Sequence, residues 1–558
     1  MRKLPILLII TMMICNLSCK KWIEATEEIP SPEPTSKIWV TNFSHPGILH
    51  NRQDLDRIKS LVASGGYPPY GSYLSMRALA TASATYQIRG PYANIARDGV
   101  DANTTAGFQS DFNAAYHNAL QWIITGNEAH AKKSIEILNA YSNTLTGITG
   151  TNDNALTASL GGFILVNAAE IMRYSYPGWA AADVTKCETM FRNVFVKEMN
   201  LFYARPAYSN GNWGASVIKS MMGMGVFLND KEIFNKAVNF YYSNGVDNGS
   251  LSNYIINETG QSQESGRDQG HVQLGLGCLA EACEVGYKQN LDMYGAMDNR
   301  LLKGYEYTAK YNLGNEVPYV QWKDVTGKYS SWPVISSQGR GGFSAVYEIA
   351  YNAYVVRKKM TMPYVEQVLN RTRSEGVVAG VDNPGFGSLL FYLGETQAGD
   401  PNLGRLNFQF NTDGNAEGWS TIQSGSAVSV SNGRLKVTMA NIGNATTPKY
   451  RADLTASKIT IDPKNFPIWA IHFNKPGNSN ITLDTKLGSL TGGGTLLTSN
   501  DNINTYYWNL STKFSDLTLL DAMTLKVADQ TTGAPSYEVD WIMCFKSVDD
   551  LKAYLSTL

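Results

Sequence analysis

From about residue 45 to residue 360 the hydrophobic positions recur with a helical period. Leu55, Ile58, Leu61 and Val62 follow Asp54 at that spacing, then Ala115, Ala119, Trp122 and Ile123, then Ala131, Ile135, Leu138 and Tyr141. Further helices are predicted near 157–174, 182–199, 212–228, 230–244, 269–286, 292–312 and 341–358. Gly, Pro and Asn punctuate them, as in Thr125-Gly126-Asn127 and Tyr176-Pro177-Gly178. On the order of ten antiparallel helices without a strict repeat predict a helical toroid or an α-solenoid. A toroid closes on itself and leaves a central cleft.

After Gly399-Asp400-Pro401-Asn402 the period falls to that of strands. Predicted strands include Leu406–Phe410, Ala427–Val430, Arg434–Thr438, Lys458–Ile461, Ile468–Phe473, Thr524–Val527 and Val539–Ile542. Turns such as Ser431-Asn432-Gly433 and Thr491-Gly492-Gly493-Gly494 separate them. Short strands so spaced predict an all-β sandwich, with a short helix near 547–558 packed on it. Trp419 and Trp508 are its candidate glycan platforms, with core packing as the other reading.

The first residues differ from both regions. Met1-Arg2-Lys3 precedes an apolar run from Leu4 to Cys15, too short to span a bilayer. Asn16-Leu17-Ser18-Cys19 then resembles a bacterial lipobox, with Cys19 as the lipidated residue and Cys15 as the alternative. Pro30, Pro32 and Pro34 favour an extended tether. The predicted organisation is multidomain α plus β: a lipoprotein signal peptide over 1–18, a tether over 19–37, an (α/α) toroid or barrel over 38–402 and an all-β sandwich over 403–558. The expected location is the outer membrane, on its surface or periplasmic face, with the protein held there as a monomer by its lipid anchor.

Composition removes several classes of function. The 558 residues carry 47 Lys and Arg against 48 Asp and Glu, so no basic field would hold a nucleic-acid backbone. With 43% hydrophobic residues the chain can bury a core, which excludes disorder. Cys187, Cys278, Cys283 and Cys544 lack metal-finger spacing and read as free, buried and structural.

Four clusters could carry chemistry. The densest runs from Asn257 to His271 and contains Glu258, Glu264, Arg267, Asp268 and Gln269 before an apolar helix. One His and one Arg with carboxylates at a helix N-terminus suit anion binding and proton transfer. The second is Ser209-Asn210-Gly211-Asn212-Trp213-Gly214, where Asn212 could donate to a carboxylate and Trp213 could stack on a sugar. The third is Gln338-Gly339-Arg340-Gly341-Gly342, an Arg among glycines that let a ligand approach. The fourth, Asp298 to Tyr307, places Tyr305 on the apolar face of Leu301, with Tyr307 about 200° around the helix.

Together with His45-Pro46-Gly47-Ile48-Leu49-His50, these runs resemble the alginate-lyase-like helical toroids of polysaccharide lyase family 38, over roughly 45–370. Glu264-Ser265-Gly266-Arg267-Asp268-Gln269-Gly270-His271 is the most specific piece. The C-terminal region resembles β-sandwich modules of glycan-degrading lipoproteins of the Bacteroidetes. The resemblance implies β-elimination on a uronic-acid polymer, alginate first and glucuronan next. It implies Asn212, His271, Tyr305 and Arg340 as catalytic residues. Trp213, Arg267, Gln269, Glu264, Tyr307 and Asn210 would bind the sugar chain. No cofactor is expected, and no ligand cluster insists on a metal. The competing readings are a toroid hydrolase using Glu264 and Asp268, and a non-catalytic glycan-capturing lipoprotein.

Overall fold

The computed structural model describes residues 37–204, 211–243, 249–322, 332–377, 380–394, 404–411, 413–474, 482–485, 488–490, 494–497, 504–515, 517–527 and 536–557. Cys19, the leader and all but the last residue of the tether lie outside these, as do Asn210 and the 402/403 boundary.

The helical region is an (α/α) toroid of two layers, and the layering follows from burial. Every residue of the helix Gly211–Phe227 is buried. Its neighbour in sequence, Lys231–Tyr241, buries only the stripe of Phe234, Asn235, Ala237, Val238 and Tyr241. The first belongs inside and the second outside, as a mainly apolar and an amphipathic sequence require. Hairpins join such helices. Gly126, at φ 69°, ends Thr105–Thr125 in a left-handed cap. Asn127 then accepts the Ala129 N–H and opens Glu128–Thr144.

The predicted helix over 292–312 is shorter than its pattern. Met297, Asp298 and Asn299 adopt left-handed φ values of 49°, 53° and 56°, so the regular helix begins at Arg300. Likewise the 341–358 stretch becomes helical only from Tyr347. The four cysteines beyond the leader are free and buried.

Apart from the short parallel pair Asn94–Ile95 and Gly147–Ile148, the described strands lie from Asn407 onward, where they build two main antiparallel sheets around their own core. In the larger, Ile468–Phe473 lies between Asn504–Asn509 and Ser536–Phe545, with Trp469 opposite Trp508 and Cys544. In the smaller, Thr518–Lys526 lies between Asp453–Ile461 and Thr482–Thr485. Ile468–Phe473 is buried along its whole length, which explains why five of its six residues are apolar with no alternation. One face meets the sandwich core. The other, with Trp541 and Phe545, is covered by the helix Val548–Leu555 through Leu551. Trp419 and Trp508 are both buried in the sandwich core, so neither is an exposed platform.

Candidate active site

Two buried inner helices carry the site. Gly211–Phe227 begins one residue before Asn212, and Gln269–Lys288 begins two residues before His271. They pack directly on each other. Deeper in the same pair, Lys219 Nζ lies 2.5 Å from Glu281 Oε2 and 3.0 Å from the Asp382 carbonyl. Asn383 Nδ2 donates to the other Glu281 oxygen at 2.6 Å.

The segment before His271 is shaped by a tight fold-back. Ile255 pairs with Ser262, and the Gln263 N–H returns to the Tyr254 carbonyl at 2.9 Å. Gly260 sits in that turn at φ 91° with its α-carbon against the Lys303 carbonyl, where a side chain has no room. The fold-back delivers Glu264 to the interior, 1% exposed. Its Oε1 accepts Asn212 Nδ2 at 2.7 Å and Arg267 Nη1 at 3.1 Å. Its Oε2 accepts the Tyr254 hydroxyl at 3.2 Å. Burial pushes the Glu264 carboxyl above the usual range, against the pull of Arg267, His271 and the Asn212 amide.

Asp268 caps the second helix, accepting the His271 backbone N–H on Oδ1 at 2.8 Å. Its Oδ2 lies 2.6 Å from His271 Nδ1. Burial works to raise the Asp268 carboxyl, but the hydrogen bonds from His271 and the nearby Arg267 hold it below the usual range. A carboxylate on Nδ1 fixes the tautomer with a proton there and leaves Nε2 as a base. The imidazole is 39% exposed, enough to meet a substrate.

The structure therefore brings Asn212, Glu264, Arg267, Asp268 and His271 together. It does not do so for the other predicted residues. Tyr305 is fully buried, and its hydroxyl donates to the Val346 carbonyl at 3.0 Å. Burial holds that phenol far above its usual range, so the expected role as proton donor to a sugar is corrected to core packing. Tyr307 is buried too, with its hydroxyl on the Pro318 carbonyl at 2.7 Å. Arg340 stacks on Tyr311 and donates to the carbonyls of Tyr311 and Asn315 and to Glu316, closing a helix end instead of facing the cluster. Gln269 is buried and ties the Ser336 carbonyl and Asn312 to the start of the His271 helix. Trp213 lies inside the toroid, not on a sugar-facing surface. Glu264 is likewise too buried to touch a sugar.

Two residues were not singled out in the sequence. Tyr254, ten positions before Glu264, also reaches the His271 and Val272 carbonyls, at 3.1 and 3.0 Å. Its link to Glu264 depends on the fold-back, which no local pattern announces. Lys219 was the more legible, as a lone charge within an otherwise apolar helix.

Residues 67–318 match the family described as alginate lyase, and residues 404–551 match a domain of unknown function, DUF4979. The family match supports polysaccharide lyase activity as the general kind of chemistry. Among solved structures, alginate lyase A1-III from Sphingomonas species A1 is similar at 10% identity, with 63% of this chain and 100% of that one covered and a TM-score of 0.46. An alginate lyase from Bacteroides ovatus is similar at 12% identity, 63% and 100% coverage and a TM-score of 0.45. Heparinase III follows at 12% identity, 90% and 94% coverage and a TM-score of 0.32. No curated protein matches the chain.

Proposed function

We propose that the protein cleaves a uronic-acid polymer by β-elimination, with alginate as the first substrate and glucuronan the next. The observation that carries this reading is the Asp268–His271 pair at 2.6 Å beside the joined Asn212 and Arg267 donors, within the region that matches the alginate lyase family. A uronate resists loss of its C5 proton because its own carboxylate opposes the developing charge. Arg267, 25% exposed, supplies the donor that draws that charge away as it grows, and the fully buried Asn212 holds the Glu264 carboxylate beside it. His271 Nε2 takes the C5 proton, and Asp268 steadies the imidazolium that results. The electron pair of the C–H bond forms the C4–C5 double bond as the O4 bond breaks. The imidazolium then protonates the departing O4 when the proton and the leaving oxygen share a face, as in a mannuronate-type residue. This scheme uses one proton carrier, so it favours mannuronate over guluronate.

The burial of Glu264 weighs against the hydrolase alternative. A general acid must reach the glycosidic oxygen, and Glu264 is enclosed by three donors. We further propose that Cys19 anchors the protein to the outer membrane as a monomer, where it would meet extracellular polysaccharide. The test is ultraviolet absorbance over time with polymannuronate, polyguluronate and glucuronan. A rise on polymannuronate that His271→Ala abolishes supports the reading. No rise on any uronate polymer defeats it.

A further inference from the structure

We infer that Glu264 is the positioning residue of this site: it does not touch the sugar, and, braced by the equally buried Asn212 amide, it sets the Arg267 guanidinium as the carboxylate-receiving group. The inference rests on the lyase reading above. Its basis is convergence on a single atom. Glu264 Oε1 accepts both Asn212 Nδ2, at 2.7 Å, and Arg267 Nη1, at 3.1 Å. The Asn212 amide is fully buried and anchors that oxygen, which in turn holds the partly exposed Arg267 guanidinium.

Glu264 is itself held firmly. Oε2 accepts the Tyr254 hydroxyl, and that hydroxyl oxygen also lies within 3.1 Å of the His271 carbonyl. The same carboxylate thus refers the Asn212 helix, Arg267 and the first turn of the His271 helix to one point. With a relative exposure of 1%, Glu264 cannot meet a polymer in the cleft, and neither can Asn212 at 0%, so the effect of both must travel through Arg267. Its charge also balances Arg267 before substrate arrives, which keeps the guanidinium from turning elsewhere.

The test is Glu264→Gln, alone and combined with Asn212→Ala, on the full chain. Glutamine keeps the shape and one acceptor oxygen, and its amide can donate to Tyr254 while that hydroxyl turns to a backbone carbonyl. The fold should survive, checked by thermal unfolding. A neutral acceptor holds a guanidinium more weakly than a carboxylate does, so kcat should fall about tenfold while KM moves less than about threefold. With Asn212 already removed, part of that route is gone, and Glu264→Gln should cost at most about threefold in kcat. Glu264→Asp, which retains charge but pulls the oxygen back, should also lower kcat with KM kept. Additive losses in the double variant would overturn the inference, as would a raised KM with kcat unchanged, which marks direct sugar contact. A wild type that forms no double bond on any uronate polymer overturns the lyase reading and this inference with it. An active wild type with additive losses overturns this inference alone.

Discussion

Replacing Lys219 by Met tests whether the two site-bearing helices are held in register from below. Lys219 lies seven residues beyond Asn212 and Glu281 ten beyond His271, so their pair ties the helices two to three turns beneath the site. Both side chains are buried, at 0% and 4% exposure. Met fills much of the lysine volume, so the loss is mainly electrostatic. Glu281 would retain the Asn383 amide at 2.6 Å but lose its cation. It must then stay charged without a counter-ion or take up a proton, and either is unfavourable. Breaking a buried pair from one side costs about 3–5 kcal/mol. For a helical region of roughly 360 residues, with an unfolding entropy of about 0.75 kcal/mol/K, that is a fall of roughly 4–7 °C in the helical transition. Thermal and urea unfolding followed by far-ultraviolet dichroism would measure it. The Lys219→Met, Glu281→Met double variant removes both charges and should recover most of the loss, to within about 2 kcal/mol of wild type. A single variant costing less than about 1 kcal/mol would refute the reasoning, as would a double variant less stable than the single.

Asp268→Asn should leave stability within about 1 kcal/mol but lower kcat about 10²–10⁴-fold, because the imidazole loses the carboxylate that fixes its tautomer. An unchanged kcat would remove Asp268 from the mechanism. Glu375 is buried, and burial together with the Glu348 charge holds its carboxyl well above the usual range. A raised folded-state value means its contribution is whole below the unfolded value, about pH 4.3, and is lost as pH rises through the folded one. Glu375→Gln should therefore flatten the decline in stability above that pH, and denaturation curves of variant and wild type that stay parallel with pH would contradict this. Trp469, fully buried in the sandwich, should cost about 3–5 kcal/mol when replaced by Ala. That loss should lower the β-region transition and spare the helical one; equal shifts in both would show that the two cores unfold together.

What could be read from the sequence depended on whether a residue's partner was near it in the chain. Asp268 and His271 stand one helical turn apart, so their pairing follows from cap position and spacing alone. The run from Glu264 to His271 was legible for the same reason. Tyr305 shows the limit. Its position four residues after Leu301 marked it as core, and the family resemblance drew it toward the site; burial decides for the core. Trp213 failed differently. Its helix is buried on every side, so no polar stripe distinguishes a residue facing a cleft from one facing a neighbour. Tyr254 and the carbonyl partners of Arg340 are set by the paths of loops, which side-chain periodicity does not encode.

The helical and β regions were separable because their periods differ. Among the described residues the helical region ends with Gly387–Leu390, and the β region opens with the strand Asn407–Phe408. Strand Ile468–Phe473 could not be oriented from sequence, since an apolar run buried on two faces carries no alternation. The helix Val548–Leu555 that covers its second face was foreseen as a short terminal helix.

The central claim is elimination, and the most direct measurement is the source of oxygen at the cleaved bond. Polymannuronate digested by the wild-type protein in heavy-oxygen water, with products analysed by mass spectrometry and proton magnetic resonance, distinguishes the two chemistries. The account predicts an unsaturated sugar at each new non-reducing end and no solvent oxygen in the products. Saturated non-reducing ends, with one heavy oxygen entering the new reducing end for each bond cut, would contradict it and establish hydrolysis instead.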